Sequence, residues 1–313
     1  MKRFLFILIA LGSFLEVHAQ HYSGTYLYAT RDTCNLYLDV YQPSAEASPT
    51  FNGHEKPTVL FLFGGGFISG ERNNKYYMPW FKLLNDNGYR VVSIDYRLGL
   101  KGIPMRFDLF HLIDAAKKTQ HAVNIGVEDV FSAVRFLADH AGQIGLNPAN
   151  MVIAGSSAGA MISLSSEWEI CNGTPRTAVL PEGFQFTGVM SFAGAIMSDQ
   201  GVPDYKTAPC LQLLFHGTAD GAVAYKKMAF GRRGMFGSHV IAGILAKKGY
   251  PYNFYRHKDH THDIAGHFLA TWPEQKRFLE ENVMDKSGRT IDAMVDDPAV
   301  PHQKSVSLSD IYK

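Results

Sequence analysis

Residues 151–159 have the sequence Met-Val-Ile-Ala-Gly-Ser-Ser-Ala-Gly, an apolar run that ends in a turn of glycine and serine. Met161 and Ile162 follow at once, so the pattern predicts a buried strand, a sharp turn and the start of a helix. The Gly-x-Ser-x-Gly spacing puts Ser157 at the centre of that turn. Glycines permit a strained turn, and a helix N-terminus favours developing negative charge. We therefore expect Ser157 to be a nucleophile; a plain strand-to-helix turn without chemistry is the weaker alternative.

A second glycine turn lies in residues 60–70, Leu-Phe-Leu-Phe-Gly-Gly-Gly-Phe-Ile-Ser-Gly. Consecutive glycines can direct several backbone amides to one point, which suits either a phosphate or an oxyanion. The Gly-Lys-Ser/Thr ending of a phosphate loop and the glycine spacing of a dinucleotide site are both missing. We therefore expect the amides of Gly65 and Gly66, with that of Ala158 after the nucleophile, to stabilise an oxyanion.

Short apolar runs alternate with amphipathic stretches along most of the chain, which predicts one α/β domain whose mostly parallel sheet carries helices on both faces. The strands are predicted within residues 36–41, 59–63, 91–94, 151–154, 188–192, 211–215 and 253–255, and helices within 127–140, 237–248 and 273–283. The chain has three cysteines, so in an oxidising compartment at least one would stay unpaired. A Cys171–Cys210 bridge, the other pairings and buried free thiols all stay open.

Composition narrows the function classes. The chain has 313 residues, 46% of them hydrophobic, which is enough for a large buried core. Its 30 Lys and Arg against 29 Asp and Glu leave a net charge of +1, so it lacks the basic surface that nucleic-acid binding requires. We expect no nucleic-acid partner.

The two ends of the chain differ from the middle. Residues 1–19 combine Lys2 and Arg3, an apolar run and a small-residue ending, which predicts a signal peptide and a secreted or periplasmic protein. No later stretch is long and apolar enough for a membrane span. We expect a catalytic domain over residues 20–284, followed by a polar C-terminal extension over residues 285–313.

Four segments, taken in order, resemble the carboxylesterase branch of the α/β-hydrolases. They are Gly-Gly-Gly-Phe at 64–67, Ile-Asp-Tyr-Arg-Leu at 94–98, Glu-Asp-Val at 128–130 and Gly-Ser-Ser-Ala-Gly at 155–159. The resemblance covers roughly residues 30–282 and includes type-B carboxylesterases, hormone-sensitive-lipase-like esterases and small bacterial feruloyl or acetyl esterases. It implies the α/β-hydrolase fold and ester hydrolysis without a cofactor. Many lipase-like relatives have a histidine before the three glycines, where this chain has Phe63.

The resemblance also implies that an acid and then a histidine follow the serine. The segment His-Gly-Thr-Ala-Asp at 216–220 is similar to the family's His-Gly-x-x-Asp, which implies that Asp220 is the acid. Asp199 and Asp204 are rivals, but they follow a different predicted strand, so we interpret them as loop carboxylates. We expect His216 to be a structural hydrogen-bonding residue.

The base is drawn from one loop that contains four histidines: His257, His260, His262 and His267. His-Asp-Ile at 262–264 resembles the His-x-apolar ending of related esterases, which implies that His262 is the base, with His260 as the alternative. Histidines beside Asp259 and Asp263 also suggest a metal ion. We expect no metal site, because the triad accounts for one histidine and the spacing matches no standard zinc motif.

These observations together predict a secreted serine carboxylic-ester hydrolase that forms an acyl-enzyme. Its expected substrates are small or carbohydrate-linked esters of short acyl or aryl groups, such as acetyl or feruloyl groups. A lipase or serine peptidase of the same fold is one alternative, and residues 99–125 are the nearest candidate for the apolar lid that long lipids would require. A non-catalytic binding protein is the alternative of another class.

Overall fold

The computed structural model describes residues 22–31, 34–108, 110–298, 300, 302 and 312. The predicted signal peptide, residues 1–19, lies outside these residues. Within the described part of the chain, no helix is both long enough and apolar enough to cross a membrane.

The described strands and helices follow one another as the alternating pattern predicts. The strands are β1 (Tyr22–Arg31), β2 (Cys34–Tyr41), β3 (Thr50–Phe51), β4 (His54–Glu55), β5 (Thr58–Leu62), β6 (Val91–Ile94), β7 (Met151–Ser156), β8 (Gly188–Phe192), β9 (Ala195–Ser198), β10 (Leu211–Gly217), β11 (Lys227–Phe230), β12 (Arg233–Gly237), β13 (Tyr252–His257) and β14 (Ile291–Val295). The helices are α1 (Met78–Asp86), α2 (Leu112–Asp139), α3 (Ala141–Ile144), α4 (Ala158–Asn172), α5 (Ser238–Lys248) and α6 (Trp272–Arg277), the last continuing as a π-helix, Phe278–Met284.

The central sheet has nine strands in the order β1-β2-β6-β5-β7-β8-β10-β13-β14. β1 pairs with β2 and β2 with β6 in antiparallel fashion, and every later pair is parallel. The inner strands β5 to β8 are buried at every position, as expected for parallel strands covered on both faces. The predicted α/β class with a mostly parallel sheet is confirmed. Its carboxyl edge, where β5, β7, β10 and β13 end, carries all of the predicted site residues.

Helix α2 begins earlier than predicted, at Leu112 rather than within residues 127–140. Ala115, Thr119 and Ala122 are buried on its inner face, but their small side chains give little hydrophobic signal in the sequence. Residues 112–125 of the lid candidate are therefore the first turns of a long helix. They form a wall of the site rather than a separate insertion.

The C-terminal extension needs a correction. Residues 285–313 were expected to be a polar extension outside the domain, but β14 pairs in parallel with β13 and completes the sheet. Alternate residues of β14 are half-buried, since Ile291, Ala293 and Val295 face the sheet's packed side. This five-residue edge strand is flanked by polar residues, so the short alternation is easily overlooked.

Cys171 and Cys210 do not form a disulfide bond. Both lie beside the carboxyl group of Glu167, which is fully buried in α4. The thiol of Cys171 donates to Glu167 Oε1 over 3.3 Å, and the amide of Cys210 donates to the same oxygen over 2.7 Å. Burial raises the pKa of Glu167, although these hydrogen bonds oppose the rise.

Candidate active site

Ser157 lies at the turn between β7 and α4, in a strained backbone conformation. Its φ is 51° and its ψ is −115°, a region that side-chain-bearing residues rarely adopt. The turn depends on both flanking glycines. A Cβ at Gly155 would lie 2.3 Å from backbone atoms of Gly159, and a Cβ at Gly159 would lie 2.3 Å from the carbonyl oxygen of Leu62. This turn, residues 155–159, is called the elbow below; it is packed against β5 without room for side chains at its two glycines.

The structure brings three of the predicted site residues into one hydrogen-bonded chain. Ser157 Oγ lies 2.7 Å from His262 Nε2, and His262 Nδ1 lies 2.8 Å from Asp220 Oδ2. Ser157 is 9% exposed, but it lines both cavities at this edge of the sheet, so its hydroxyl group can be reached. A serine, an imidazole and a carboxylate in this order can activate the hydroxyl group as a nucleophile.

Asp220 follows the end of β10 and is held on both of its oxygens. Oδ1 accepts the backbone amides of Ala222 and Val223 at 2.9 and 3.0 Å, while Oδ2 faces His262. Burial would raise the pKa of this carboxyl group, but hydrogen bonds from His216 and His262 outweigh it and hold the pKa below its usual value. The group is therefore an anion at neutral pH.

His216 is fully buried and contacts the carboxylate of Asp220. Its Nδ1 lies 2.8 Å from Ser238 Oγ, and its Nε2 lies 3.1 Å from the Val223 carbonyl oxygen and 3.3 Å from Asp220 Oδ2. It does not reach the serine hydroxyl group, in keeping with the structural role expected for it.

The two rival acids lie outside this chain of hydrogen bonds. Asp199 pairs with Arg233 at 3.1 Å, and Asp204 pairs with Lys248 at 2.7 Å. Both carboxyl groups are at least half exposed and have the surroundings of surface ion pairs.

The turn that carries His262 is a short 3-10 helix, His262–Gly266, which follows β13. Ser156, next to the nucleophile, donates its hydroxyl to the carbonyl oxygen of Ala265 over 2.8 Å. On the other side, a Cβ at Gly217 would lie 2.2 Å from the carbonyl oxygen of Thr261, so this part of the turn lies directly against the end of β10. The elbow and β10 together fix the position of the His262 ring.

His260, the alternative base, is directed elsewhere. Its Nδ1 lies 2.7 Å from Asp263 Oδ2, and its side chain is only 3% exposed. Among the described residues, His260 makes no hydrogen bond to Ser157.

The glycine loop lies beside the nucleophile. Gly65 and Gly66 have φ values of 131° and 62°, and a Cβ at Gly65 would lie 2.0 Å from the Ser69 carbonyl oxygen. Among the hydrogen bonds of the described residues, none uses the amides of Gly65 or Gly66. Ala158 is the first residue of α4, where amides have no acceptor within the helix. Three predicted donors are thus available next to Ser157.

Phe63, which replaces the histidine of many relatives, supports this loop by packing. Its ring stacks on Tyr96 with 4.4 Å between ring centroids, and the Tyr96 hydroxyl donates to the Phe63 carbonyl oxygen over 2.8 Å. Tyr77 accepts the amide of Gly64 over 3.0 Å. Aromatic side chains therefore position the glycine loop in this chain.

Two cavities meet at Ser157. One of about 150 Å³ is mostly apolar, and its walls include Phe67, Leu112, Ala116, Met161, Met197 and Met235. The other, of about 680 Å³, is wider and more polar, and its walls include Ser69, Glu71, Asn74, Tyr76, His262 and Asp263. The nucleophile therefore separates an apolar compartment from a polar one.

The small sheet β11-β12-β9, which contributes methionines to the apolar cavity, is not among the predicted elements. A two-residue turn, Gly231 and Arg232, joins β11 to β12, and a glycine in such a turn is a hairpin signal. Tyr312 was also missed. Its hydroxyl donates to the Gly66 carbonyl oxygen over 2.9 Å, and no local pattern predicts that contact.

The fold and the order Ser, Asp, His along the chain define the α/β-hydrolase class. The model of the carboxylesterase family matches residues 16–183, more than half of the chain, and the chain belongs to this family. It is 29% identical to chlorogenic acid esterase of Aspergillus niger over 125 residues, which are 40% of this chain and 22% of that protein. It is also 29% identical to neuroligin-2 of Mus musculus over 153 residues, or 44% of this chain and 17% of that one.

The matched segments thus span about a fifth of the length of these two relatives. Solved structures extend the comparison to most of the chain. Esterase 2 of Thermogutta terrifontis in its apo form aligns with a TM-score of 0.58 at 20% identity, covering 83% of this chain and 95% of that one. This likeness confirms the predicted α/β-hydrolase fold.

Proposed function

We propose that this protein is a serine carboxylic-ester hydrolase. The observation that carries the proposal is the hydrogen-bonded series Ser157, His262 and Asp220, with spacings of 2.7 and 2.8 Å, beside a glycine loop with uncommitted amides. Membership of the carboxylesterase family supports the choice of esters over other acyl compounds.

The proposed reaction has two halves. His262 Nε2 accepts the hydroxyl proton while Ser157 Oγ attacks the ester carbonyl carbon, and Asp220 holds the ring with its other proton on Nδ1. The amides of Gly65, Gly66 and Ala158 stabilise the oxyanion of the tetrahedral intermediate. The C–O bond to the alcohol then breaks, and the alcohol leaves with the proton from Nε2. Water repeats the attack on the acyl-enzyme and releases the acid, so the cycle requires no cofactor.

The two cavities suggest how an ester is placed. An apolar cavity of about 150 Å³ is the size that accepts one benzene ring. We propose that it binds a short acyl chain such as an acetyl group, and that a larger feruloyl group would extend from it into the wider cleft. The wider polar cleft, with Glu71, Asn74 and Tyr76 in its walls, suits the hydroxyl groups of a carbohydrate alcohol. Export, a prediction from residues 1–19, would agree with such substrates.

Replacing the nucleophile tests the activity. We expect Ser157→Ala to lower the turnover of p-nitrophenyl acetate by about 10⁴-fold or more, because the attacking atom is removed. Ser287→Ala, at an exposed position after the π-helix, is the matched control and should keep the wild-type rate. Circular dichroism checks that both variants are folded. A folded Ser157→Ala protein with the wild-type rate would refute the proposal.

A fluorophosphonate probe distinguishes the enzyme from a binding protein of the same fold. The probe reacts only with an activated serine, so we expect one covalent adduct on Ser157 of the wild-type chain and none in Ser157→Ala. Peptide mass spectrometry locates the adduct. Folded wild-type protein that stays unlabelled would favour a non-catalytic binding role.

A chain-length series tests the proposed substrate class. We expect kcat/KM to be highest for acetyl to butyryl esters and to fall at least about tenfold for octanoyl esters, whose chain exceeds the apolar cavity. Feruloylated oligosaccharides, measured in the same series, show whether an aryl acyl group is accepted as well. Rates that rise steadily toward long acyl chains would contradict the proposed acyl site and would instead indicate a lipase.

A further inference from the structure

A second group of polar side chains lies in and beside the turn that carries His262, and it makes no hydrogen bond to Ser157 among the described residues. His260, Asp263 and His267 each direct one donor atom to a common point, and these three atoms lie within 4.8 Å of one another. Their side chains are 3%, 1% and 10% exposed, so the group is almost entirely enclosed by protein.

The carboxylate of Asp263 is arranged to offer a single oxygen to this point. Oδ1 accepts the amide and the hydroxyl of Thr261, at 2.9 and 3.3 Å. Oδ2 is left to face His260 Nδ1 at 2.7 Å and His267 Nε2 at 3.5 Å. Thr261 therefore orients the carboxylate in the way that outer-shell partners orient metal ligands.

Further imidazoles surround this group. His257, the last residue of β13, is 4% exposed, and neither of its ring nitrogens has a hydrogen-bond partner among the described residues. Its ring centroid lies 5.7 Å from that of His260, and the ring of His302 stacks on His260 at 4.0 Å. Leaving a buried polar group unpaired is costly, so two idle nitrogens on a buried ring indicate an additional ligand.

We propose that His260, Asp263 and His267 bind one divalent transition-metal ion of the Zn²⁺ type, beside the unpaired imidazole of His257. Two imidazoles and one carboxylate suit Zn²⁺, whereas Ca²⁺ and Mg²⁺ require a set of oxygen ligands. Zinc–ligand bonds of about 2.0–2.2 Å place tetrahedral ligands about 3.3–3.6 Å apart. The spacings from Asp263 Oδ2, 2.7 Å to His260 Nδ1 and 3.5 Å to His267 Nε2, lie near that range.

The sequence predicts no metal here, because the triad accounts for one histidine and the spacing of the histidines matches no standard zinc motif. In the fold these three residues nevertheless lie together, because the 3-10 turn His262–Gly266 lies between His260 and His267 in the chain and contains Asp263. Because the ligands flank His262 on both sides in sequence, the ion would brace the turn that presents this ring to Ser157. The inference does not depend on the proposed ester hydrolysis.

Metal titration tests the site directly. The full chain, purified without a histidine tag and stripped with a chelator, is titrated with Zn²⁺ by calorimetry and with Co²⁺ by visible absorption. We expect one equivalent of each, with the strong d–d bands of a tetrahedral Co²⁺ site. His267→Gln and Asp263→Asn should each weaken binding at least about 100-fold, since even the loss of an outer-shell partner costs 10–100-fold. Zn²⁺ should raise the Tm of the wild-type chain and of neither variant.

Two control variants exclude binding elsewhere. His54→Ala removes an exposed histidine of β4, and His262→Ala removes the neighbouring imidazole of the Ser157 series; both should retain one equivalent. Two ligand variants are used so that one that fails to fold, judged by circular dichroism, leaves the other. Absence of saturable binding, or unchanged affinity in a folded ligand variant, would overturn the proposal. All readouts are independent of ester turnover, so failure of either proposal can be told apart.

Discussion

Replacing Asp220 with asparagine tests how the proposed base is oriented. Asp220 Oδ1 accepts two backbone amides, those of Ala222 and Val223, at 2.9 and 3.0 Å. An asparagine must keep its oxygen there, because an NH₂ group would face two donors. Its NH₂ group is then turned toward His262 Nδ1 and donates to it. The ring proton of His262 consequently moves to Nε2, the atom 2.7 Å from Ser157 Oγ, and Nε2 can no longer accept the serine proton.

We expect Asp220→Asn to lower kcat by about 10⁴-fold, as a tautomer error of this kind does in other serine hydrolases. At about 1.36 kcal/mol for each factor of ten, that loss corresponds to about 5.4 kcal/mol of transition-state stabilisation. KM should change little, because Asp220 lines neither cavity. Steady-state hydrolysis of p-nitrophenyl acetate near neutral pH measures both constants.

The matched control is Asp204→Asn, which changes the same side-chain type at a carboxyl group that is 71% exposed and paired with Lys248. Its rate should equal that of the wild-type chain. If a folded Asp220→Asn protein retains kcat within about tenfold of wild type, Asp220 does not set the tautomer of His262, and another group must orient the base.

Three further predictions concern stability and specificity. Gly159→Ala should lower the free energy of unfolding in urea by at least about 3 kcal/mol, because its Cβ would lie 2.3 Å from the Leu62 carbonyl oxygen; Gly142→Ala, with open space around it, should not, and equal values would contradict the packing argument. Burial raises the pKa of Glu167, so the protonated carboxyl group is preferred in the folded state. Its contribution to the free energy of unfolding is fully present below about pH 4 and is lost as the pH rises through the folded-state pKa. Glu167→Gln should therefore be more stable than the wild-type chain at pH 8 and lose this advantage near pH 4. A stability difference that does not change with pH would contradict the raised pKa of Glu167. Ala116→Phe should narrow the apolar cavity and raise the kcat/KM ratio of acetyl to hexanoyl esters at least about tenfold; an unchanged ratio would place the acyl group elsewhere.

The elbow could be predicted from the sequence because its constraints are local. Strand β7 is a continuous apolar run, and the glycines at 155 and 159 are required by contacts within a few residues or with the adjacent strand β5. The same holds for β6 and β8, whose observed bounds equal the predicted ones. Buried parallel strands can be predicted from their apolar composition alone, since both of their faces are covered.

Local pattern by itself does not choose the histidine, and His262 is predicted only through the resemblance of His-Asp-Ile at 262–264 to the family's ending. His260 and His262 lie two residues apart in a loop without periodicity, and either could have pointed at Ser157. What separates them is non-local: the backbone contact of the turn with Gly217 and the hydrogen bond from Ser156 to Ala265. The family resemblance supplied the order of the triad, whereas the sequence alone contains no measure of these contacts.

The turn His262–Gly266 contributes one residue to each of two groups of side chains. His262 belongs to the series with Ser157 and Asp220, and Asp263 belongs to the group with His260 and His267. His262 faces Ser157, while Asp263 faces His260 and His267 on the other side, so adjacent residues serve different neighbours. A 3-10 turn has three residues per turn, and neighbouring side chains therefore point about 120° apart. An ion held by Asp263 would fix the backbone of this turn at the edge of the polar cavity, whose wall includes Asp263. Removal of the ion should then lower kcat through a less well-oriented His262, and its effect on kcat should exceed its effect on KM.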